Sequence, residues 1–436
     1  MMAQVPHFAG EIFISIFPTC AAEWRIYMNH EVLLDGVCEM GYQLLGCGGQ
    51  IYRVEDTVRR LVAAYGLNCE VFAIPNCLIV SVTDENNHVV TRMRQAKVGS
   101  IDILTLERLN ALSRRLCANP PEDPSVIAQE VKNVAAISAP FPIWIQLLGF
   151  FIGAAFFALF YSGGLLESLI GGVAGVAAGA CSLLLARTRS NFFINTAVSG
   201  FVLAFVAYGL LLLGVPINAE AVTVGAIMVL VPGIVFTNFM ADLLTGDIVA
   251  GLSTFARAVL TAGAIALGTG AAISAFQRFA AVSAGAVPPF IHSPVLACLF
   301  AGIACFGFCL PFNIRGTVGT ILCCVGGALG WAVYLLFQHF GCSIYVATLA
   351  ASLCISIYAE VMARIRKCPT AAYLVVSYFP LVPGFTIYQA MDYGIHGNIQ
   401  LFLETFIKTF GIAGCIALGT LIISTYLHIM QARKKG

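Results

Sequence analysis

Leu230-Val231-Pro232-Gly233 is written again at Leu381-Val382-Pro383-Gly384, 151 positions later, and the register holds without a gap beyond it. Gly246 falls on Gly397, Phe255 on Phe406 and Arg257 on Lys408, and Ile265-Ala266-Leu267-Gly268-Thr269 falls on Ile416-Ala417-Leu418-Gly419-Thr420. Both copies are strongly apolar, both carry a Pro-Gly break, and both place one cation at the same step. Transporters assembled from repeated halves around a central site have this pattern.

Composition separates two bodies. The 436 residues are 59% hydrophobic and 10% charged, against about 25% charged in soluble domains. Residues 1–140 hold 11 of the 23 Lys+Arg and 15 of the 22 Asp+Glu, which leaves 12 basic and 7 acidic side chains for the other 296 residues. A water-soluble domain therefore precedes a long membrane domain. The net charge of +1 says nothing about nucleic acid, and with no basic, aromatic-interleaved patch to suggest one, no nucleic-acid partner is expected. Half of the sixteen cysteines lie in apolar runs, where Cys acts as a small hydrophobe. None has paired zinc spacing, so neither a metal nor a cofactor is expected.

Residues 1–27 are an extension without the charged n-region of a signal peptide, and Met28 reads as the natural start. Residues 28–138 form a small α/β domain, with amphipathic helices at 29–47 and 51–66. Strands follow at Glu70–Ile74, Cys77–Val82 and His88–Arg94, then helices at 104–117 and 124–137.

From Phe141 on, ten runs approach the ~20 residues needed to cross a bilayer: 141–162, 164–186, 191–213, 219–241, 248–276, 290–312, 317–338, 343–363, 370–391 and 399–430. The expected fold is an α-helical polytopic membrane protein. Ten transmembrane helices form two inverted five-helix repeats, 139–276 and 290–436, joined by a linker at 277–289. With the soluble domain inside, Arg187, Arg189, Arg315, Arg364, Arg366, Lys367, Arg433, Lys434 and Lys435 lie on the cytoplasmic side and only Arg278 lies outside. Five spans per half reverse the second half, so the two Leu-Val-Pro-Gly helices run antiparallel.

Pro232-Gly233 and Pro383-Gly384 interrupt membrane helices. One such break is a kink relieved by its neighbours; a matched pair in inverted halves points to half-helix termini facing a ligand. Arg257 lies ten residues beyond Asp247, about 15 Å into the membrane, and Lys408 is as deep from the other side. Lys408 has Glu404 at the favourable i,i+4 spacing, whereas Arg257 has only Ser253. Its counter-charge is either a substrate carboxylate or a structural acid such as Asp242 or Asp247. Asp242, Asp247 and Glu404 are proton-carrying candidates, with interfacial polarity and helix capping the other account of the two aspartates. Glu360 and Arg364 read as a structural pair, and Glu167 as solvated near the outer surface. His292, His339, His396 and His428 lie toward span ends without metal-ligand spacing.

These stretches resemble the threonine/serine exporter family of bacterial and fungal membrane proteins. The likeness runs through Leu44-Leu45-Gly46-Cys47-Gly48-Gly49 with Arg53-Val54-Glu55, then Gly66-Leu67 and Ile74-Pro75-Asn76. In the membrane domain it continues through Leu230–Gly233, Asp242-Leu243-Leu244-Thr245-Gly246-Asp247, Ala250-Gly251 and Arg257. The second module is similar at Tyr358–Arg364, Pro369 and Leu381–Gly384. Cys47 and Asn76 depart from the usual Ser and Thr. The resemblance implies export of small hydroxylated amino acids driven by the proton gradient; the expected place is the plasma membrane, with both termini put on the cytoplasmic side by the loop charges. Two-component relatives imply dicarboxylate (succinate) as the alternative cargo. The partners implied are a small carboxylate-bearing metabolite and the lipid bilayer, with a homo-oligomer left open.

No Walker A sequence supplies a nucleotide motor. Thr245-Gly246-Asp247 only faintly matches an intramembrane aspartyl protease, since Leu244 stands where the first Gly belongs. No Gly-x-Ser-x-Gly elbow occurs, so the chain is not expected to be an enzyme. A receptor or scaffold acting through the soluble domain is the third class. Its Arg53-Val54-Glu55 helix is then either a regulatory surface or a solvated face with an internal salt bridge.

Overall fold

The structure is a computed structural model that describes residues 18–83, 88–96, 101–161, 163–188, 191–231, 233–277, 293–366 and 368–433. Pro232, Arg278, His292, Lys367, most of the 1–27 extension and the 277–289 linker from residue 278 on lie outside the described residues, as do Arg189, Lys434 and Lys435. The chain divides into two compact units, Met1–Ile101 with Thr105–Ala139, and Asp102–Leu104 with Pro140–Gly436.

In the first unit, α1 (Pro18–Gly46) begins before the expected helix, and α2 (Ile51–Ala63) buries Ile51, Val54, Val58, Leu61 and Val62 on one face. That is the helical spacing read in the sequence. β1 (Asn68–Ile74), β2 (Cys77–Thr83) and β3 (Val89–Gln95) form an antiparallel sheet in sequence order. Leu78, Val80 and Val82 of the central strand alternate into the core, as the pleat requires. Helices α3 (Ile103–Ala118) and α4 (Ser125–Ile137) follow.

α1 is held to the sheet by charge as well as packing: Arg94 lies 2.7 Å from the buried Glu39, and Arg92 lies 2.9 Å from Asp35. Burial pushes the Cys38 thiol on α1 up to about 12, so it stays protonated and unreactive at neutral pH. Glu55 pairs with Arg59 at 2.7 Å and accepts the Ala73 N–H at 3.0 Å. It therefore ties α2 to β1, and no ion pair joins it to Arg53 among the described residues. All fifteen described cysteines are free thiols.

The second unit is helical: α5 (Ile143–Phe160), α6 (Leu165–Arg187), α7 (Phe192–Leu212), α8 (Ala219–Ile227), α9 (Gly233–Thr245), α10 (Ile248–Gln277), α11 (Pro294–Cys309), α12 (Thr317–His339), α13 (Ile344–Arg366), α14 (Ala371–Ser377), α15 (Gly384–Ile395) and α16 (Ile399–Arg433). Seven helices among the described residues, α5, α6, α7, α10, α12, α13 and α16, are long and apolar enough to cross a membrane. The sequence led us to expect ten. The difference lies in α11, apolar but 16 residues long, and in 219–241 and 370–391, which are each split into two short helices where the Leu-Val-Pro-Gly phrase falls.

The duplicated sequence produces duplicated hydrogen bonds. Leu230 and Val231 N–H donate to the Ile227 carbonyl, and Leu381 and Val382 donate to that of Tyr378. Asp247 N–H donates to Asp242 O and Asn398 to Tyr393 O, both at 2.9 Å. These turns pivot on Gly246 and Gly397, which hold φ at 95° and 77°, where a side chain is strained. Packing partners match as well. α5 packs on α6 and α8 as α11 packs on α12 and α14, α7 lies on α10 as α13 lies on α16, and α10 meets α15 as α9 meets α16.

Glycines set the closest approach. A Cβ on Gly149 of α5 would stand 2.6 Å from the Gly307 carbonyl of α11, so these backbones touch, as small residues allow between helices in lipid.

Candidate functional site: a cavity at the second helix break

Between α14 and α15 the chain leaves the helix for Tyr378–Pro383. The Tyr378 hydroxyl is buried and lies 2.7 Å from Ser356 Oγ and 2.8 Å from Thr420 Oγ1, pinning the start of the break to α13 and α16. Phe379 stacks on Phe308 of α11, with ring centroids 4.1 Å apart. The break is thus held rigidly, not frayed.

Gly384 N–H turns back to the Val382 carbonyl at 2.7 Å, and Ile387 N–H reaches Pro383 O at 3.2 Å. The N–H groups of Phe385 and Thr386, in the first turn of α15, have no backbone partner among the described residues, nor do the carbonyls of Pro380 and Leu381. A helix start leaves such donors free and partially positive, which suits a carboxylate.

Those residues line a cavity of about 120 Å³. Its other walls include Tyr161 at the end of α5, Trp331 and Tyr334 of α12, and Thr348 of α13. Trp331 stacks on Tyr334 with centroids 4.6 Å apart. The Trp331 indole N–H is the one fully buried side-chain polar atom without a hydrogen-bond partner among the described residues. No charged side chain lines the cavity. A cavity of ~150 Å³ accepts benzene, so this one is of a size for a small metabolite and no larger.

Of the residues singled out in the sequence, Pro383 lines the cavity and Gly384 is the first residue of α15. Gly233 begins α9 in the same way. Arg257 is half-buried on α10, and its guanidinium has no hydrogen bond or ion pair among the described residues. Lys408 is half-buried on α16 and Glu404 is exposed. The expected Glu404–Lys408 ion pair is not among the described ones.

Phe255 and Phe406, the duplicated residues two positions before these cations, meet each other with centroids 6.4 Å apart. Residues two apart on a helix do not share a face, so the aromatic seam is apolar. Asp242 is buried, its carboxylate without a partner among the described residues, and Asp247 is half-buried beside the Gly246 turn.

Glu167 corrects the expectation of a solvated side chain. It is 4% exposed, and its carboxylate accepts the Asn218 N–H at 3.1 Å just ahead of α8, a donor that would otherwise be orphaned. Glu360 keeps its pairing with Arg364, at 3.9 Å, and also accepts the Thr370 hydroxyl at 2.9 Å. Among the described residues no group of His, Cys, Asp and Glu could hold a metal ion. Tyr161, Trp331, Tyr334 and Thr386 were not anticipated. A signal existed only for Thr386, whose counterpart in the first copy is Val235, a hydroxyl present in one copy alone.

Two family models described as threonine/serine exporter match in tandem, over residues 35–276 and 297–426. A "Threonine/serine exporter" from Corynebacterium glutamicum is 24% identical over 375 residues, covering 82% of this chain and 75% of its own length. A "Probable threonine/serine exporter" from Mycobacterium tuberculosis (strain ATCC 25618 / H37Rv) is 22% identical over 413 residues, covering 90% of this chain and 76% of its own length. No solved structure matches.

Proposed function

Because the chain belongs to the threonine/serine exporter family, we propose that this multi-pass membrane protein exports serine and threonine, holding them in the cavity at the Pro383 break. The observation that carries this reading is the cavity itself, lined by Phe385 and Thr386, whose N–H groups lack backbone partners, and by Trp331, whose indole N–H has none among the described residues. The Phe385 and Thr386 N–H groups and the Trp331 indole receive the substrate carboxylate, and the free carbonyls of Pro380 and Leu381 receive its ammonium group. A dicarboxylate would bring a second anion to a cavity with no cation in its walls, so an amino acid is favoured over succinate.

Transport proceeds by alternating access between two inverted five-span repeats, coupled to protons, with the first unit and the C-terminus cytoplasmic. The inverted arrangement is supported by the exchange of packing partners between the two helix sets and by the contact of Phe255 with its own duplicate, which a local two-fold axis requires. Nine-to-one loop charge supports the orientation. The two broken segments and α11 complete ten spans. Pro232 and Gly233 stand at the corresponding place in the sequence of the first copy, where one helix ends at Ile227 and the next begins at Gly233. Arg257 and Lys408 meet the cargo carboxylate when the cavity opens to the other side, and Asp242, Asp247 and Glu404 are candidate proton carriers.

Counterflow in proteoliposomes with labelled serine, threonine and succinate tests the reading. Serine and threonine exchange and succinate does not, and Arg257→Ala removes export while leaving the protein folded and inserted. Exchange of succinate in preference to both amino acids, or full export by the Arg257 variant, would sink the corresponding assignment.

A further inference from the structure

α15 carries a second polar feature at its other end. Tyr388, Asp392 and His396 recur every fourth residue, so they stand one above another along one face. Exposure rises along this row, from 8% at Tyr388 to 30% and 62% for the Asp392 and His396 side chains. His396 Nδ1 lies 3.5 Å from Asp392 Oδ1 and 2.9 Å from the Asp392 carbonyl. At the buried end the Tyr388 hydroxyl lies 3.3 Å from Thr269 Oγ1 of α10. The row leads from an exposed imidazole to the packed seam between α15 and α10.

Helix stability does not call for an acid there. A carboxylate in the last turn faces the partial negative charge of the helix end, and a half-buried one in an apolar unit is costly. The duplicate helix folds without it: 151 positions earlier the same face holds Thr237, Ala241 and Thr245. Around the row, Tyr208 of α7 is within electrostatic reach of both Asp392 and Glu220 of α8. α10 contributes the Thr269 hydroxyl, α16 sets Phe402 against Gly394, and α9 presents apolar Phe239 and Met240 near Ile387 and Met391. On α15 itself, Tyr393 lies off the row and accepts from Gln389. No Lys or Arg neutralises Asp392 among the described residues; its one ionic partner there is a histidine, the side chain that changes charge near neutral pH.

We propose that His396 and Asp392 carry the coupling proton of transport, with Tyr388 closing the buried end of their path. This rests on the proton-coupled export reading. The imidazole takes a proton from water, the imidazolium passes it to the Asp392 carboxylate and returns to neutral, and the protonated acid releases it to water after the conformational change. Neutral Asp392 no longer opposes the carbonyls at the end of α15, so this half-helix, whose start lines the cavity, shifts without dragging a bare charge through lipid.

The test compares serine counterflow at equal pH with serine flux driven by an imposed pH gradient, in proteoliposomes of the full chain. In the wild type the gradient raises flux several-fold. Asp392→Asn, with counterflow showing that it is folded and binds, loses the gradient response. Asp392→Glu recovers part of it, and His396→Gln displaces the pH profile of driven flux. Asp392→Asn with the wild-type gradient response overturns the proposal. A wild type that exchanges serine but ignores the gradient overturns proton coupling and this assignment while sparing the export reading. A wild type without serine or threonine counterflow overturns the export reading itself.

Discussion

The indole N–H of Trp331 is a donor buried without an acceptor, and leaving such a group unpaired costs about 1–3 kcal/mol. That cost is offset when a carboxylate arrives, because hydrogen bonds to charged groups contribute roughly 1.5–3 kcal/mol. Trp331→Phe, which keeps a ring and removes the unpaired donor, should therefore raise the KM for serine about tenfold without lowering thermal stability. An unchanged KM would place the cargo elsewhere. The residue was invisible in the sequence because a tryptophan inside an apolar helix reads as one more large hydrophobic side chain. Only the unpaired nitrogen distinguishes it, and pairing is a property of three-dimensional neighbours. Asp392 is not singled out in the sequence, and His396 is set aside there with the other span-end histidines, for a related reason. Their spacing was legible, but their rising exposure along one face was not.

Helix α5 meets α11 through glycine: Gly149 and Gly153 on one, Gly307 on the other. A side chain at Gly307 would have to occupy backbone space, which no rotamer relieves. Gly307→Leu should reduce the yield of folded protein and lower its melting temperature by several degrees. Gly263→Ala on α10, where a Cβ meets nothing within 4 Å, should be neutral or stabilising, since alanine is the better helix former. Equal effects of the two in a thermal-shift measurement would rule out close approach as the cause. Element positions were well marked along the chain. Helical spacing set α2, alternation set β2, and Pro-Gly marked both breaks. Hydrophobicity could not show that 219–241 and 370–391 are each two short helices, because an interrupted apolar run and a continuous one have the same composition.

At the scale of the whole molecule, the contact between Phe255 and Phe406 fixes where a two-fold axis would pass. Replacing both with cysteine should allow an intramolecular cross-link in a chain otherwise cleared of reactive thiols. The link should form within one polypeptide and block export, because the two halves can no longer move against each other. Reduction should restore export. A link that forms only between chains would place the axis in an oligomer, and a linked protein that still exports would argue against relative movement of the halves.

Sequence alone determined that this chain has a charge-rich unit and an apolar one, that the apolar unit repeats at an interval of 151 residues, and that each copy carries a Pro-Gly pair. These properties are local: they depend on side-chain hydrophobicity, periodicity and the backbone limits of proline and glycine. Tertiary structure decided that the second break opens on a cavity and which of the donors around it remain unpartnered among the described residues. It also moved Glu167 from the surface to the interior. Those outcomes depend on which distant segments fill the space around each polar group, and a residue's own neighbours in sequence do not encode that.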